Sequence, residues 1–578
     1  MGERRISFRR AAILAILLIT VLLMACSPEA ANNKSILTVG LAEEPRSLNI
    51  WMGGDANSAK VLSQIYQPLY ATEPAKLDYI PWLAAAMPEF DAARLAYTVK
   101  LRPARWSDGV PLTAEDVAFT GRLIQEFKIP RYASKWAPVE RIEVVDPHTL
   151  VFFLKMPYAP FVSATLITPI IPKHKWESRA AIARQSIKPL VTLLNERIAS
   201  PVGCGPFVLK RRHQGAFLYL EKNPLFFASG LTLAGRRLGP HIDGLLFKIY
   251  GTSDVAVLAL QKGDIDMLWW GLQPGYVDSL NEQENIRVIT SERSALYFLG
   301  FNTRRPPFND VRLRRAVRLL IDKNFIVDRI LQGNGRRMDT IIPPSNLFWF
   351  NPAIKPAGDE MNPEQRIRAA SRLLEQAGYR WQRPPVDGLD RVETAQALIM
   401  PNGKEMPDIT ILTPPADYDP LRAMSGMMIQ QWLRAVGIRA TARPMSFGAL
   451  LEQIKARHDF DAFVLGYGHL PLDPEYLGTF FYSRNGKSRG WNISGYANPA
   501  FDRLAERARR QMDPLQRRQT VWQMQEILSR DVPYVPLYDP SLTEAVRTDR
   551  FTGWVSMVEG IGNRWSFCQV EPVERSRG

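Results

Sequence analysis

Residues 466–483, GYGHLPLDPEYLGTFFYS, run two glycines, a tyrosine and His469 into an Asp473-Pro474 turn and then into a second aromatic cluster. An imidazole, a carboxylate and flat rings at one turn can hold a ligand, because polar atoms orient it while rings supply contact area. Catalysis asks for more, a nucleophile beside a base or a bound metal. The chain has no Gly-x-Ser-x-Gly elbow, no His-Glu-x-x-His helix, no Gly-x-x-x-x-Gly-Lys-Ser/Thr phosphate loop and no calcium loop. Its six histidines, His148, His174, His213, His241, His458 and His469, are scattered without a ligand partner at helical spacing. No catalytic residue, metal or cofactor is therefore expected, and among the histidines only His469 falls in the suspected site.

Trp51, Trp269, Trp270 and Trp491 lie near glycine-rich turns. A tryptophan is more often core than ligand wall. Their clustering in GDIDMLWWG and SRGWNISGY tilts the reading toward walls.

The elements that must position these residues change character along the chain. ILTVGLAEEP alternates as a strand, and residues 59–70 read as a helix that meets Pro68. LAYTVKLRPARWSDGVPL and VERIEVVDPHTLVFFLK are strand-rich, the second folding about Asp146-Pro147-His148. Thr113 and Asp116 form a capping box between them. From about residue 296 the period shifts to 3.6: Leu313, Ala316, Val317, Leu320 and Ile321 share one helical face, and Asn362, Pro363 and Gln365 cap a helix that stops at Gly378. DITILTP, LRAMSGMMIQQWLRAVG, IRATARP, SFGALLEQIKARH and FDAFVLGYG then alternate strand and helix, which predicts a mostly parallel, doubly wound lobe. The stretch at 466–483 starts at the carboxyl end of its last strand, where ligands sit in such sheets.

A length of 578 residues, 46% of them hydrophobic and 23% charged, suits a globular protein of three or four domains. Arg4, Arg5, Arg9 and Arg10 followed by AAILAILLITVLLMA form an export signal too short to span a bilayer. LLMAC resembles the lipobox of bacterial lipoproteins, so Cys26 is the expected lipid attachment site, 1–25 the signal peptide and 26–35 a flexible tether. Removing residues 1–25, with four arginines and Glu3, lowers the formal charge from +15 to about +12. An arginine excess suits an anionic ligand or membrane surface, although a solvated surface accounts for it more simply. Nothing reads as nucleic-acid recognition. Cys204 and Cys568 remain in an oxidising compartment, and their separation in sequence leaves open whether they pair.

EEPRSLNIW, LRPARWSDGVPLTAEDVAF, SPVGCGPFVL, FNTRRPPFNDVRLRRAVRLLIDK, LLEQAGY and NPAFDRLAERA occur in one order over nearly all the chain after Cys26. Together they resemble the extracellular solute-binding proteins of peptide and nickel ABC transporters, family 5. That resemblance implies a two-lobed α/β periplasmic-binding-protein fold of class C with an extra inserted subdomain. Lobe I would comprise 36–65, 200–298 and 538–578, the subdomain 66–199 and lobe II 299–537, with crossings near Phe301-Asn302 and Tyr538. The lobes would close on a small solute or peptide-like ligand and deliver it to ABC permease subunits from a membrane-anchored position in the periplasm or at the cell surface, as a monomer. The expected ligand-binding residues are Trp51, Asp55, Trp270, His469, Asp473, Tyr482, Arg484, Trp491 and Asn492. A lipid-anchored sensor or chaperone on this fold, and an exported hydrolase, are the alternatives.

In peptide-binding members a segment Gly-Trp-x-x-Asp-x-x-Asp-Pro sets its first Asp against the peptide amine. The matching stretch here, 466–474, has Leu470 at that position and Asp473 at the second, turn-shaping one. Leucine cannot neutralise an ammonium. The resemblance thus implies a blocked peptide, a sugar-like or other polar conjugate, or an anion met by Arg484, unless His469 shifts register or Asp55 takes over.

Overall fold

Along the strand Leu296–Phe301, Leu296 and Phe298 face one apolar cluster while Tyr297, Leu299 and Phe301 face another. A strand apolar on both faces belongs between two layers. In the computed structural model, which describes residues 34–53 and 55–574, it lies inside a six-stranded sheet. The order is Gly335–Arg337, Tyr534–Pro540, Leu296–Phe301, Ala462–Tyr467, Ile409–Thr413 and Ala440–Pro444. The last three are the strands expected from the strand-helix alternation, and they are parallel, with the helix Pro420–Arg434 as one crossover. The other half is antiparallel. The sheet is therefore mixed rather than mostly parallel, because the added strands arrive from distant segments that no local crossover helix constrains.

The other lobe is built on a seven-stranded sheet, ordered Phe207–His213, Phe217–Lys222, Gly244–Ile249, Ile36–Leu41, Met267–Leu268, Leu542–Arg547 and Ile286–Ser291. Only Ile36–Leu41 pairs in parallel, with both of its neighbours. The chain passes from this sheet to the six-stranded one at residues 292–295 and returns at Ser541. Both crossings are displaced from Phe301-Asn302 and Tyr538, since Leu296–Phe301 and Tyr534–Pro540 pair within the second lobe.

The inserted subdomain carries an antiparallel sheet of Glu89–Asp91, Ala96–Lys100, Thr149–Leu154 and Val139–Asp146. Its helix Ala114–Phe127 starts at the expected capping box, with Thr113 N donating to Asp116 Oδ2 at 2.9 Å, and buries Val117, Ala118, Leu123 and Ile124. The helix expected over 59–70 is Ala56–Ile65 instead. Pro68 disfavours helix at the residue before it, and the strand Tyr70–Thr72 follows.

Gly203 and Gly205 are dictated by a close approach to that helix. A Cβ at Gly203 would stand 2.0 Å from Ile65 O, and one at Gly205 2.2 Å from Gln64 O. Cys204 is thereby seated in the first lobe's apolar core, whereas Cys568 packs in a separate cluster with Trp82 and Trp565. Both thiols are free, and burial pushes each up to about 12. Cys26 and the export segment lie outside the described residues. Among those described, no helix is long and apolar enough to cross a membrane.

Candidate functional site

A cavity of about 860 Å³ opens where the two lobes and the subdomain meet. The second lobe contributes residues 469–476 and, from its helices, Thr479, Arg509 and Arg517; the subdomain contributes Arg131, Lys135, Ser163 and Ile167; the C-terminal segment contributes Glu559, Asn563 and Arg564. The stretch after the strand Ala462–Tyr467 thus forms a wall, as its place at the strand's carboxyl end predicts.

Asp473 has no lone pair to spare. Arg517 Nη2 and Glu475 N donate to its Oδ1 at 2.7 and 3.0 Å, and Arg517 Nη1 and Ser163 Oγ donate to its Oδ2, each at 2.7 Å. Burial alone would raise this carboxyl, but the Arg517 guanidinium and these donors outweigh it and hold it below the ordinary carboxylate value. A bidentate pair this buried is structural: it shapes the Asp-Pro turn and ties it to the helix Pro514–Asp531.

Each remaining acidic group on the cavity also has an arginine. Glu475 meets Arg509 at 3.2 Å and accepts from Tyr158 OH at 2.8 Å. Glu506 lies 3.4 Å from Arg484 and 3.7 Å from Arg510. Glu559 lies 3.7 Å from Arg293 and accepts from Ser294 N at 2.8 Å, with His469 Nδ1 3.2 Å away. Burial opposes ionisation of Glu559, yet His469 and Arg293 bring its carboxyl below the ordinary value. Leu470, 2% exposed, packs in the second lobe's core and presents no charge.

Of the residues expected at the cleft, His469, Asp473, Tyr482 and Arg484 line this cavity. Arg484 lies 4.3 Å above the Tyr482 ring and is engaged by Glu506, so it is not a free anion receptor. The others lie elsewhere. Trp51 is core, edge-on to Trp176 and Tyr132 at 5.7 and 5.9 Å. Asp55 caps the helix Ala56–Ile65 by accepting from Ser58 N and does not line the cavity, which removes it as a substitute amine receptor there. Trp270 packs in the apolar cluster around Leu268 and Leu272, with Nε1 3.4 Å from Ser253 Oγ. Trp491, 48% exposed, packs on Tyr467 and Phe480 beneath Lys455, behind the cavity wall. Asn492 is buried and donates to Tyr482 O and Tyr496 O, so it positions Tyr482 without touching the cavity.

Sequence reasoning missed Lys135, Ser163, Arg517, Glu559 and Arg564. Each sits in an unremarkable helix or loop, and only the tertiary fold brings it to this space.

The chain belongs to a known family: residues 78–489 match the family model of the bacterial extracellular solute-binding proteins, family 5 Middle. It is 27% identical over 559 residues to the oligopeptide-binding protein AppA of Bacillus subtilis (strain 168), covering 94% of each chain. It is 26% identical to the probable D,D-dipeptide-binding periplasmic protein DdpA of Escherichia coli (strain K12), covering 95% of this chain and 96% of that one. The solved structure of the ABC transporter substrate-binding protein CtaP of Listeria monocytogenes superposes with a TM-score of 0.73 at 21% identity, covering 94% of this chain and all of that one. The protein is thus the substrate-binding component of an ABC importer, acting outside the cytoplasm.

Proposed function

We propose that the cavity holds a polar or peptide-like solute without a free amino terminus and passes it, unchanged, to a membrane permease. The relatives' names favour a peptide-like ligand. One observation narrows the class: every acidic side chain on the cavity is already neutralised by an arginine, and Leu470 stands where an amine receptor is expected. An ammonium buried there would lack a counter-charge, which costs several kcal/mol. Asp473 and the Arg484–Glu506 pair shape the wall, and Tyr482 and His469 offer ring surface and a hydrogen-bonding edge.

In this reading capture is non-covalent and non-catalytic, and the protein works as a monomer tethered through lipidated Cys26. Native mass spectrometry of freshly purified protein tests it. A retained small molecule, released intact on denaturation and lacking a primary amine, is the expected result; a covalently altered product, or a peptide with a free amino terminus, contradicts it.

A further inference from the structure

The cavity walls carry six basic side chains, Arg131, Lys135, Arg484, Arg509, Arg517 and Arg564, against four acidic ones, Asp473, Glu475, Glu506 and Glu559. The four carboxylates pair with Arg517, Arg509, Arg484 and, outside this set, Arg293. Arg131, Lys135 and Arg564 are left with no carboxylate within 4 Å among the described residues. Arg131 spends one donor on Gly53 O at 2.6 Å.

Lys135 and Arg564 have no side-chain acceptor among the described residues, yet both are firmly placed. Lys135 sits in the single helical turn Ala133–Trp136. That turn is pinned by Trp136 Nε1 donating to Thr168 Oγ1 at 3.0 Å and by Thr165 Oγ1 donating to Lys135 O at 2.6 Å. Desolvation, then Arg131, lower the ammonium's pKa, with Glu475 opposing them. Arg564 lies between the helix cap Asn563 and Trp565, whose Nε1 donates to Thr72 O at 2.9 Å. Its guanidinium stands 5.2 Å from the Trp82 ring, and desolvation pushes it down to about 10. Cys568, the titratable group acting on it, is a neutral thiol.

A half-buried cation without a counter-ion is unfavourable until an anion arrives. A guanidinium backed by an aromatic ring is already oriented for two parallel bonds to a carboxylate. Resting on the reading of this cavity as the ligand site, we infer that its ligand is a dianion, an N-blocked acidic peptide or comparable dicarboxylate, with one anionic group met by Arg564 and the other by Lys135.

Calorimetry on the mature protein, stripped of any bound solute, tests this with N-acetyl-Ala-Glu, N-acetyl-Ala-Gln and N-acetyl-Ala-Gln-amide, which carry two, one and no carboxylates. Affinity is expected to fall about ten-fold or more with each carboxylate removed, the scale of a charge-assisted hydrogen bond, and to weaken as salt rises. Arg564→Gln and Lys135→Gln should each weaken the dianion and compress the difference among the probes. Equal affinity for the three probes, no binding of the dianion at millimolar concentration, or indifference of the dianion to both substitutions overturns the inference. Thr479→Trp, which fills the cavity, separates the two levels: if it blocks probes that bind irrespective of charge, the cavity reading stands and the dianion fails. Binding that persists in a folded Thr479→Trp variant overturns the cavity reading as well.

Discussion

Ser163 of the inserted subdomain donates its hydroxyl to Asp473 Oδ2 of the second lobe at 2.7 Å, the same oxygen that accepts from Arg517 Nη1. Tyr158 OH reaches Glu475 Oε2 at 2.8 Å beside it, and Ala159 N donates to Arg509 O at 2.9 Å. These bonds form a seam between two bodies that join only through distant parts of the chain. The buried pair that shapes the turn at the cavity wall is also the pair the subdomain grips.

Asp473→Ala should chiefly destabilise. It leaves Arg517, whose side chain is 6% exposed, as an uncompensated buried charge, at a cost of about 3–5 kcal/mol. Denaturant unfolding reads this directly. A variant that unfolds like the parent but no longer binds would instead make Asp473 a ligand contact.

Ser163→Ala combined with Tyr158→Phe removes two seam bonds without burying a new charge. Loss of one bond to a charged acceptor is worth about 1.5 kcal/mol or more, so ligand affinity should fall at least about ten-fold. Solution scattering should show the liganded protein with a larger radius of gyration than the parent. Unchanged scattering and affinity would mean that the seam does not hold the closed form together.

Asp539, on the strand that leads back to the first lobe, carries a pH dependence. Burial, then Glu559, push its carboxyl up to about 8, whereas in an unfolded chain an Asp titrates near about 3.9. Between those values the folded protein holds a proton that the unfolded chain has released. This contribution to stability is complete below about pH 4 and is lost as pH rises through about 8. Burial raises Glu544 to about 7 and Asp266 to about 6, which act with the same sign. The melting temperature should therefore decline from pH 5 to pH 8, and Asp539→Asn should flatten the decline. A rise over this range that is unaffected by the substitution contradicts the assignment.

Cys204 and Cys568 should be unreactive in the native protein and should appear as two thiols on denaturation without reductant, since both are buried and unpaired. Thiol titration of the Cys26→Ser protein, in which only these two thiols remain, reads the count. No thiols after denaturation would mean a disulfide.

Local chemistry made part of this legible in the sequence. The capping boxes at Thr113–Asp116 and Asn362–Gln365, the hairpin about Pro147-His148 and the three parallel strands after residue 409 follow from caps, turns and periodicity within a few residues. The candidate site was legible only where one segment carried it, from His469 through Tyr482 to Arg484. Trp51 and Asn492 share their residue types and turn settings with true ligand walls, and only packing reveals them as core. Arg517 lies 44 residues from Asp473 on a helix with two other arginines, Arg518 and Arg530. Nothing local distinguishes a guanidinium that will be buried against a carboxylate from one that will be solvated.

The most direct measurement is calorimetry of the stripped, mature protein with a mixed library of di- to pentapeptides, before and after acetylation of their amino termini. A cavity in which every carboxylate is paired with an arginine, and in which Leu470 stands where the family resemblance implies an amine receptor, should bind the acetylated library at least as well as the free one. Micromolar binding of free peptides that vanishes on acetylation would contradict it.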